Sequence, residues 1–220
     1  MLAAGSAGPH AAEREAERES PAPDMRAPRS ARSSRPRRGR PVFTMRPATA
    51  ADVPGVAAML RARCDWMEER GIPSWRGSVD DLAGQAANGA MWVLGDGGGR
   101  TVGCTTVLPR APATDWTPDE VAEPSLYLFT TATDPAYREH RPGTLIALWA
   151  VDRAARHGRS WVRRGCYDPA LARYYQQQGF TLVRERPREG LRLYLLARRA
   201  EHLDLGVLGP ARDSAALRDR

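Results

Sequence analysis

The stretch from Pro124 to Phe180 constrains this chain most, because five ordered-structure signals follow one another there without a break. PSLYLFTTATDP is apolar, aromatic and β-branched and ends at a proline, which predicts a strand over about Ser125 to Thr133. The charged loop AYREHRPG leads into TLIALWAVDRAARHG, whose apolar positions recur at steps of three and four, so a helix is expected from about Pro142 to Arg156, stopped by Gly158. SWVRRGC then predicts a strand over Trp161 to Cys166. DPALARYYQQQGF predicts a helix from about Pro169 to Gln178, stopped by Gly179.

The flanking sequence supplies the remaining elements. VFTMRP reads as a first strand, and Asp52 and Pro54 open an amphipathic helix on Val53, Val56, Ala57, Leu60, Cys64 and Met67 that Gly71 ends. A weaker helix is expected over about Ser78 to Ala87. MWVLGD and TVGCTTVLP form a hairpin about the Gly97-Gly98-Gly99 turn, and GDGGGR has neither the spacing nor the following helix of a phosphate loop. RAPATDWTPDEVAE is a long polar connection of the kind that overlies binding sites. Phe180 to Arg186 and Leu191 to Ala197 close the chain as a strand pair across PREG. Strands alternating with helices in this way predict an α/β fold with helices packed on a sheet.

Composition sets the limits of function. The chain has 220 residues, 42% of them hydrophobic, enough for one well-buried domain over residues 42–200. Residues 1–41, rich in Ala, Pro, Ser, Arg and Glu, are expected to be a disordered tail, and 201–220 a loose one. No apolar run approaches the ~18 to 20 residues of a membrane span, and no signal peptide is evident, so a cytoplasmic location is expected. The three cysteines are far apart, without C-x-x-C pairs or clustered histidines, so buried thiols and no metal site are expected. The net charge of +7 is concentrated at the start, where residues 1–44 hold nine arginines against five acids. Nucleic acid is therefore expected to bind only through that tail, if at all. All basic residues are arginine, which excludes a lysine nucleophile.

Three segments carry a resemblance. TDPAYREHRPGTLIAL is similar to the V-x-P-x-x-R-G-x-G-x-G-x-x-L stretch of the GCN5-related N-acetyltransferase (GNAT) family, and DPALARYYQQQGF to its N-x-x-L-x-x-Y-Y-x-x-x-G-F segment. ERGIPSW, at 69 to 75, resembles a lineage common in actinobacterial members. The resemblance covers roughly Phe43 to Arg198. It implies a mixed sheet of about seven strands with helices on both faces, in the order β-α-α-β-β-β-α-β-α-β-β. It also implies acetyl-coenzyme A as co-substrate, an amine of a small molecule or peptide as acceptor, and a possible homodimer.

The same resemblance assigns roles. Thr131 and Thr133 are expected to present backbone to the pantetheine arm, while Arg138, Arg141, Gly143 and Thr144 hold the pyrophosphate. That assignment is physical, because a helix start offers unpaired N–H groups and the positive end of its dipole. Arg141 stands where the family has glycine, and Pro142 removes one N–H, so a non-catalytic GNAT-like binding domain is the alternative. Tyr175 matches the tyrosine that protonates the departing thiolate. Glu123 is the nearest candidate base, and Asp115, Asp119 and Glu120 are placed to draw a cationic substrate. Trp66 and Trp75 flank the expected acceptor pocket.

Overall fold

In a computed structural model of the chain, residues 42–188, 190–206 and 208 are described. The tail expected over 1–41 lies outside the described residues. Seven strands form one sheet: β1 (Thr44–Pro47), β2 (Met91–Gly95), β3 (Thr101–Leu108), β4 (Ser125–Thr133), β5 (Trp161–Cys166), β6 (Thr181–Arg188) and β7 (Leu191–Arg199). Their spatial order is β1-β2-β3-β4-β5-β7-β6, and only β4 and β5 pair in parallel. The helices are α1 (Val53–Glu68), α2 (Val79–Gly84), α3 (Pro118–Ala122), α4 (Pro142–Arg156) and α5 (Pro169–Gln176). The α/β class and the seven-stranded sheet agree with the expectation.

Strand alternation distributes the helices. On β3, a Cβ at Gly103 would meet Ile146 of α4 at 3.0 Å, whereas its neighbour Cys104 packs with Val56, Leu60 and Cys64 of α1. Successive strand residues point to opposite faces, so α1 and α4 cover opposite sides of the sheet. Leu126, Leu128, Val162 and Leu196 join Ile146 and Ala150 of α4 in one core, all fully buried or nearly so. A third cluster, with Trp116, Tyr127, Phe129 and Leu195, fills the space beneath the connection 109–124.

Two features depart from the sequence reading. The connection 109–124 contains α3, opened by a capping box in which the Thr117 hydroxyl accepts from the Glu120 N–H and the Glu120 carboxylate accepts from the Thr117 N–H. Past residue 200, the expected loose tail packs down as far as Leu208. Leu203, Leu205 and Leu208 lie against the α4 core, the Leu203 N–H donates to Asp152 at 3.1 Å, and Leu208 bridges Phe43; residues 209–220 lie outside the described residues. Pro187 is tolerated within β6 because β6 is the sheet edge. Among the described residues no helix is long and apolar enough to cross a membrane.

Asp52 joins β1 to the start of α1. Its carboxylate accepts from Arg46 at 2.5 and 2.8 Å and from the Thr49 N–H at 2.8 Å. The Arg46 hydrogen bond is the largest cause of a carboxyl pKa lowered to about 2. A depressed carboxyl contributes stability that is fully present above its ordinary ~3.9 and lost as pH falls through the folded value. Asp52→Asn is therefore expected to cost on the order of 1–2 kcal/mol at neutral pH. Urea denaturation as a function of pH should show this cost shrinking between about pH 4 and 2.

Candidate active site

The parallel pairing of β4 with β5 runs from Ser125↔Trp161 to Leu128↔Arg164 and stops. Beyond it β4 continues to Thr133 against β3 alone, while Gly165 and Cys166 of β5 pair only with β7. The cause is local. The β3–β4 register shifts between Cys104 and Thr106, and Thr130 takes a left-handed φ of 43°, a conformation disfavoured for a β-branched residue. The two strands diverge into a wedge, and among the described residues the backbone edge of 131–133 on its β5 side has no strand partner.

Tyr175 on α5 lies over this wedge. Asp168 caps the helix, accepting from the Ala170 N–H at 2.7 Å, and Gly179 at φ 84° ends it with Phe180 turned into the core. The Tyr175 side chain is buried, and the Arg164 guanidinium stacks on its ring at 3.5 Å. Arg164 is 2% exposed, and its Nη2 donates a long hydrogen bond, 3.3 Å, to the Thr131 hydroxyl. Among the described residues its Nε has no partner and no carboxylate pairs with it. Thr131 is held in turn by the Thr105 hydroxyl at 2.8 Å. A second cation, Arg63 of α1, lies over the Trp66 ring at 4.6 Å, and burial pulls its pKa below the ordinary value.

The loop between β4 and α4 folds as a 3₁₀ turn over Pro135–His140. Two contacts brace it against the β2–β3 turn: the Tyr137 hydroxyl donates to Asp96 at 2.6 Å, and Asp134 pairs with Arg100 at 2.7 Å. GDGGGR is thus a buttress for the loop. Arg141 caps α4 in the left-handed region at φ 51°, with its side chain exposed, as is that of Arg138. The Arg141 N–H turns back to the Arg138 carbonyl, and those of Thr144 and Leu145 to the Arg141 carbonyl. Pro142 has none, which leaves Gly143 as the first-turn donor. A Cβ at Gly143 would meet the Tyr174 hydroxyl at 3.3 Å. Thr144 shares a 2.9 Å hydrogen bond with that hydroxyl and receives a long one from Gln178. A glycine cradle with two solvent-facing guanidiniums fits an anionic phosphate group, although it presents fewer amide donors than the family pattern.

The acidic candidates belong elsewhere. Glu123 precedes β4 and so lies at its opposite end, about 25 Å from Thr131 at a strand rise of ~3.3 Å per residue. There it pairs with the buried Arg163, and the structure does not bring it together with Thr131 and Tyr175. Asp115 is bound by Arg188 at 2.6 Å and Glu120 by Arg184 at 2.6 Å, so they do not form the cation-drawing surface expected of that loop. Trp75 is buried in the α1–α2 core, and Trp66 lies between the guanidiniums of Arg63 at 4.6 Å and Arg70 at 4.2 Å. The three cysteines are buried and free, and burial pushes the Cys104 thiol up to about 12.

Solved structures share this arrangement. A GNAT-family acetyltransferase from Listeria monocytogenes matches with a TM-score of 0.57 at 15% identity, covering 71% of this chain and 94% of that one. The chain has the GNAT fold. A Corynebacterium glutamicum protein described as histone acetyltransferase HPA2 and related acetyltransferase matches this GNAT fold at TM-score 0.52 and 21% identity, over 74% of this chain and 99% of its own. An acetyltransferase described as putative, from Staphylococcus aureus, does so at 0.51 and 13%, over 71% and 99%. No family model and no curated protein matches the sequence.

Among the expected residues, the wedge brings together Thr131 and Tyr175, the α4 start gathers Arg138, Arg141, Gly143 and Thr144, and Thr133 closes β4 opposite Gly103. Arg63, Arg164 and Thr105 were not foreseen. The available signal was the pair Arg163-Arg164 within an otherwise apolar strand, which must place one charge on each face of the sheet. An unpaired buried cation is costly. Arg164→Met is therefore expected to stabilise the ligand-free protein by roughly 1–4 kcal/mol, measured by urea denaturation; a clear loss of stability would mean that the charge is already satisfied.

Proposed function

We propose that this chain is an acyltransferase that moves an acetyl group from acetyl-coenzyme A to an amine by direct attack while both are bound, acting in the cytoplasm. The observation that carries the reading is the β4–β5 divergence with a tyrosine lying over it, in a GNAT fold. Acetyl-coenzyme A supplies the acetyl group as an activated thioester. Thr131 and Thr133 offer the unpartnered edge of β4 to an extended pantetheine arm, in the manner of an added strand. Gly143, Arg138 and Arg141 take the pyrophosphate at the α4 start, with the helix dipole favouring its charge. Thr144 acts through its link to Tyr174, which holds α5 against α4.

The C–N bond forms as the C–S bond breaks, and the sulfur must receive a proton. Tyr175 holds that proton. The guanidinium of Arg164 against its ring stabilises negative charge as the proton departs. The amine's own proton leaves to water. The reading of the chain as a GNAT-like domain without turnover draws on Pro142 and on the closeness of Tyr174 to Gly143.

Calorimetry separates the two. Acetyl-coenzyme A is expected to bind at micromolar concentrations, and no heat at millimolar cofactor would contradict the acetyl-transfer reading. Tyr175→Phe should lower kcat about 100-fold or more, in the range of general acid catalysis, while acetyl-coenzyme A affinity stays within about twofold. Unchanged turnover would remove Tyr175 from the chemistry.

A further inference from the structure

Arg141 makes a demand on its surroundings. It caps α4 at φ 51° and ψ 53°, a left-handed conformation that a residue other than glycine keeps only where its neighbours hold it, and the aim of the Gly143 N–H depends on it. The β2–β3 turn holds the preceding loop from one side, through the Tyr137–Asp96 and Asp134–Arg100 contacts. Phe43 meets the same loop, its ring edge-on to Tyr137 at 6.3 Å and tilted against His140 at 5.6 Å. Phe43 is buried, and the far end of the chain reaches it: Leu208 forms a parallel bridge to Phe43 at the sheet edge opposite β6.

Residues 200–206 and 208 form a strap that arrives there along α4. Alternation over His202-Leu203-Asp204-Leu205-Gly206 turns the two leucines onto the α4 core and leaves the other three exposed. The Ala200 N–H donates to the Ser160 carbonyl at 3.0 Å, the Leu203 N–H to Asp152 at 3.1 Å, and the Leu208 N–H to the Leu205 carbonyl at 2.6 Å. Asp152 lies about 15 Å along α4 from Pro142, at ~1.5 Å per residue. The chain from 203 to 208 can span up to about 17 Å, at ~3.3 Å per residue. A strap anchored at Asp152 therefore reaches back to the loop end of α4.

We propose that Leu208 and Phe43 are positioning residues for cofactor binding: the strap, through Phe43, holds the 135–141 loop in the form that presents the Gly143 N–H, and bound cofactor in turn holds the strap. The proposal rests on the reading of the α4 start as the pyrophosphate site. Linkage makes the effect reciprocal, because a segment whose docking favours one form of the loop is itself stabilised by a ligand that selects that form. The strap is half exposed and anchored by few bonds, so its docking belongs to the low-stability end of the fold, where a bound ligand shifts it measurably.

The test uses the full chain with Leu208→Ala and, separately, Phe43→Leu, which keeps an apolar side chain but removes the ring from Tyr137 and His140. In ligand-free protein, hydrogen exchange is expected to quicken in both variants at the Tyr137 and Arg141 amides, which bond to the Asp134 and Arg138 carbonyls, while the amides of β2 and β3 hold their rates. Coenzyme A affinity, measured by calorimetry, should fall roughly five- to twentyfold, in the lower part of the range for coupled sites. Leu208→Met, which keeps the contact, should restore both readings to within about twofold. Coenzyme A should also slow exchange at the Leu203 and Leu208 amides of the unaltered protein. Loop exchange or affinity left unchanged in either variant would overturn the proposal, as would faster exchange throughout the sheet, which marks general destabilisation. Failure of coenzyme A to bind the unaltered protein counts against acetyl transfer, and the positioning role is then decided by loop exchange alone.

Discussion

Two parallel strands that pair for four residues and then part are the constraint on which the rest of this molecule depends. A continuous ladder between β4 and β5 would bury both backbone edges and leave no path through the sheet. The left-handed Thr130 turns β4 away at the point where β5 is taken over by β7. The elements of the candidate site refer to that opening: α4 begins beside one wall, and α5 bridges it with Tyr175. Strain of this kind persists where the surroundings over-determine it, here through β3 on one side and the packed start of α4 on the other.

Charge divides the protein into two regimes. Beneath the 109–124 connection, Glu120, Asp115 and Glu123 each meet an arginine, and Arg163 is stacked among Trp116 and Trp161. That end is closed and neutralised. At the wedge, Arg164 sits one residue further along the same strand and on the opposite face, with an aromatic ring and two threonines in place of a carboxylate. The contrast between neighbours explains why the net charge of the chain says little about its site. What matters is which cations were left without an internal acid.

Much of this was legible in the residues. Asp168 and Gly179 bound α5 as their cap and stop chemistry requires, and the apolar alternation of β4 and β5 located the two walls. The α/β class followed from segment order, and the seven-stranded mixed sheet from the resemblance to the GNAT family. Glu123 was misplaced because closeness in sequence to β4 does not say which end of the strand carries the chemistry; ligands gather beyond the carboxyl ends of parallel strands. The T-x-x-E box at Thr117 was visible too, within a stretch read as loop. Arg164 was hidden for a different reason: its isolation is a property of the fold, set by which partners other segments do not deliver.

The most direct measurement is a crystal structure with a non-hydrolysable acetyl-coenzyme A analogue bound. The account predicts the acetyl group in the wedge between β4 and β5, its sulfur within hydrogen-bond reach of the Tyr175 hydroxyl, and the pyrophosphate at Gly143. An analogue bound elsewhere, or a wedge in which β4 and β5 have closed and Tyr175 faces only protein, would contradict it.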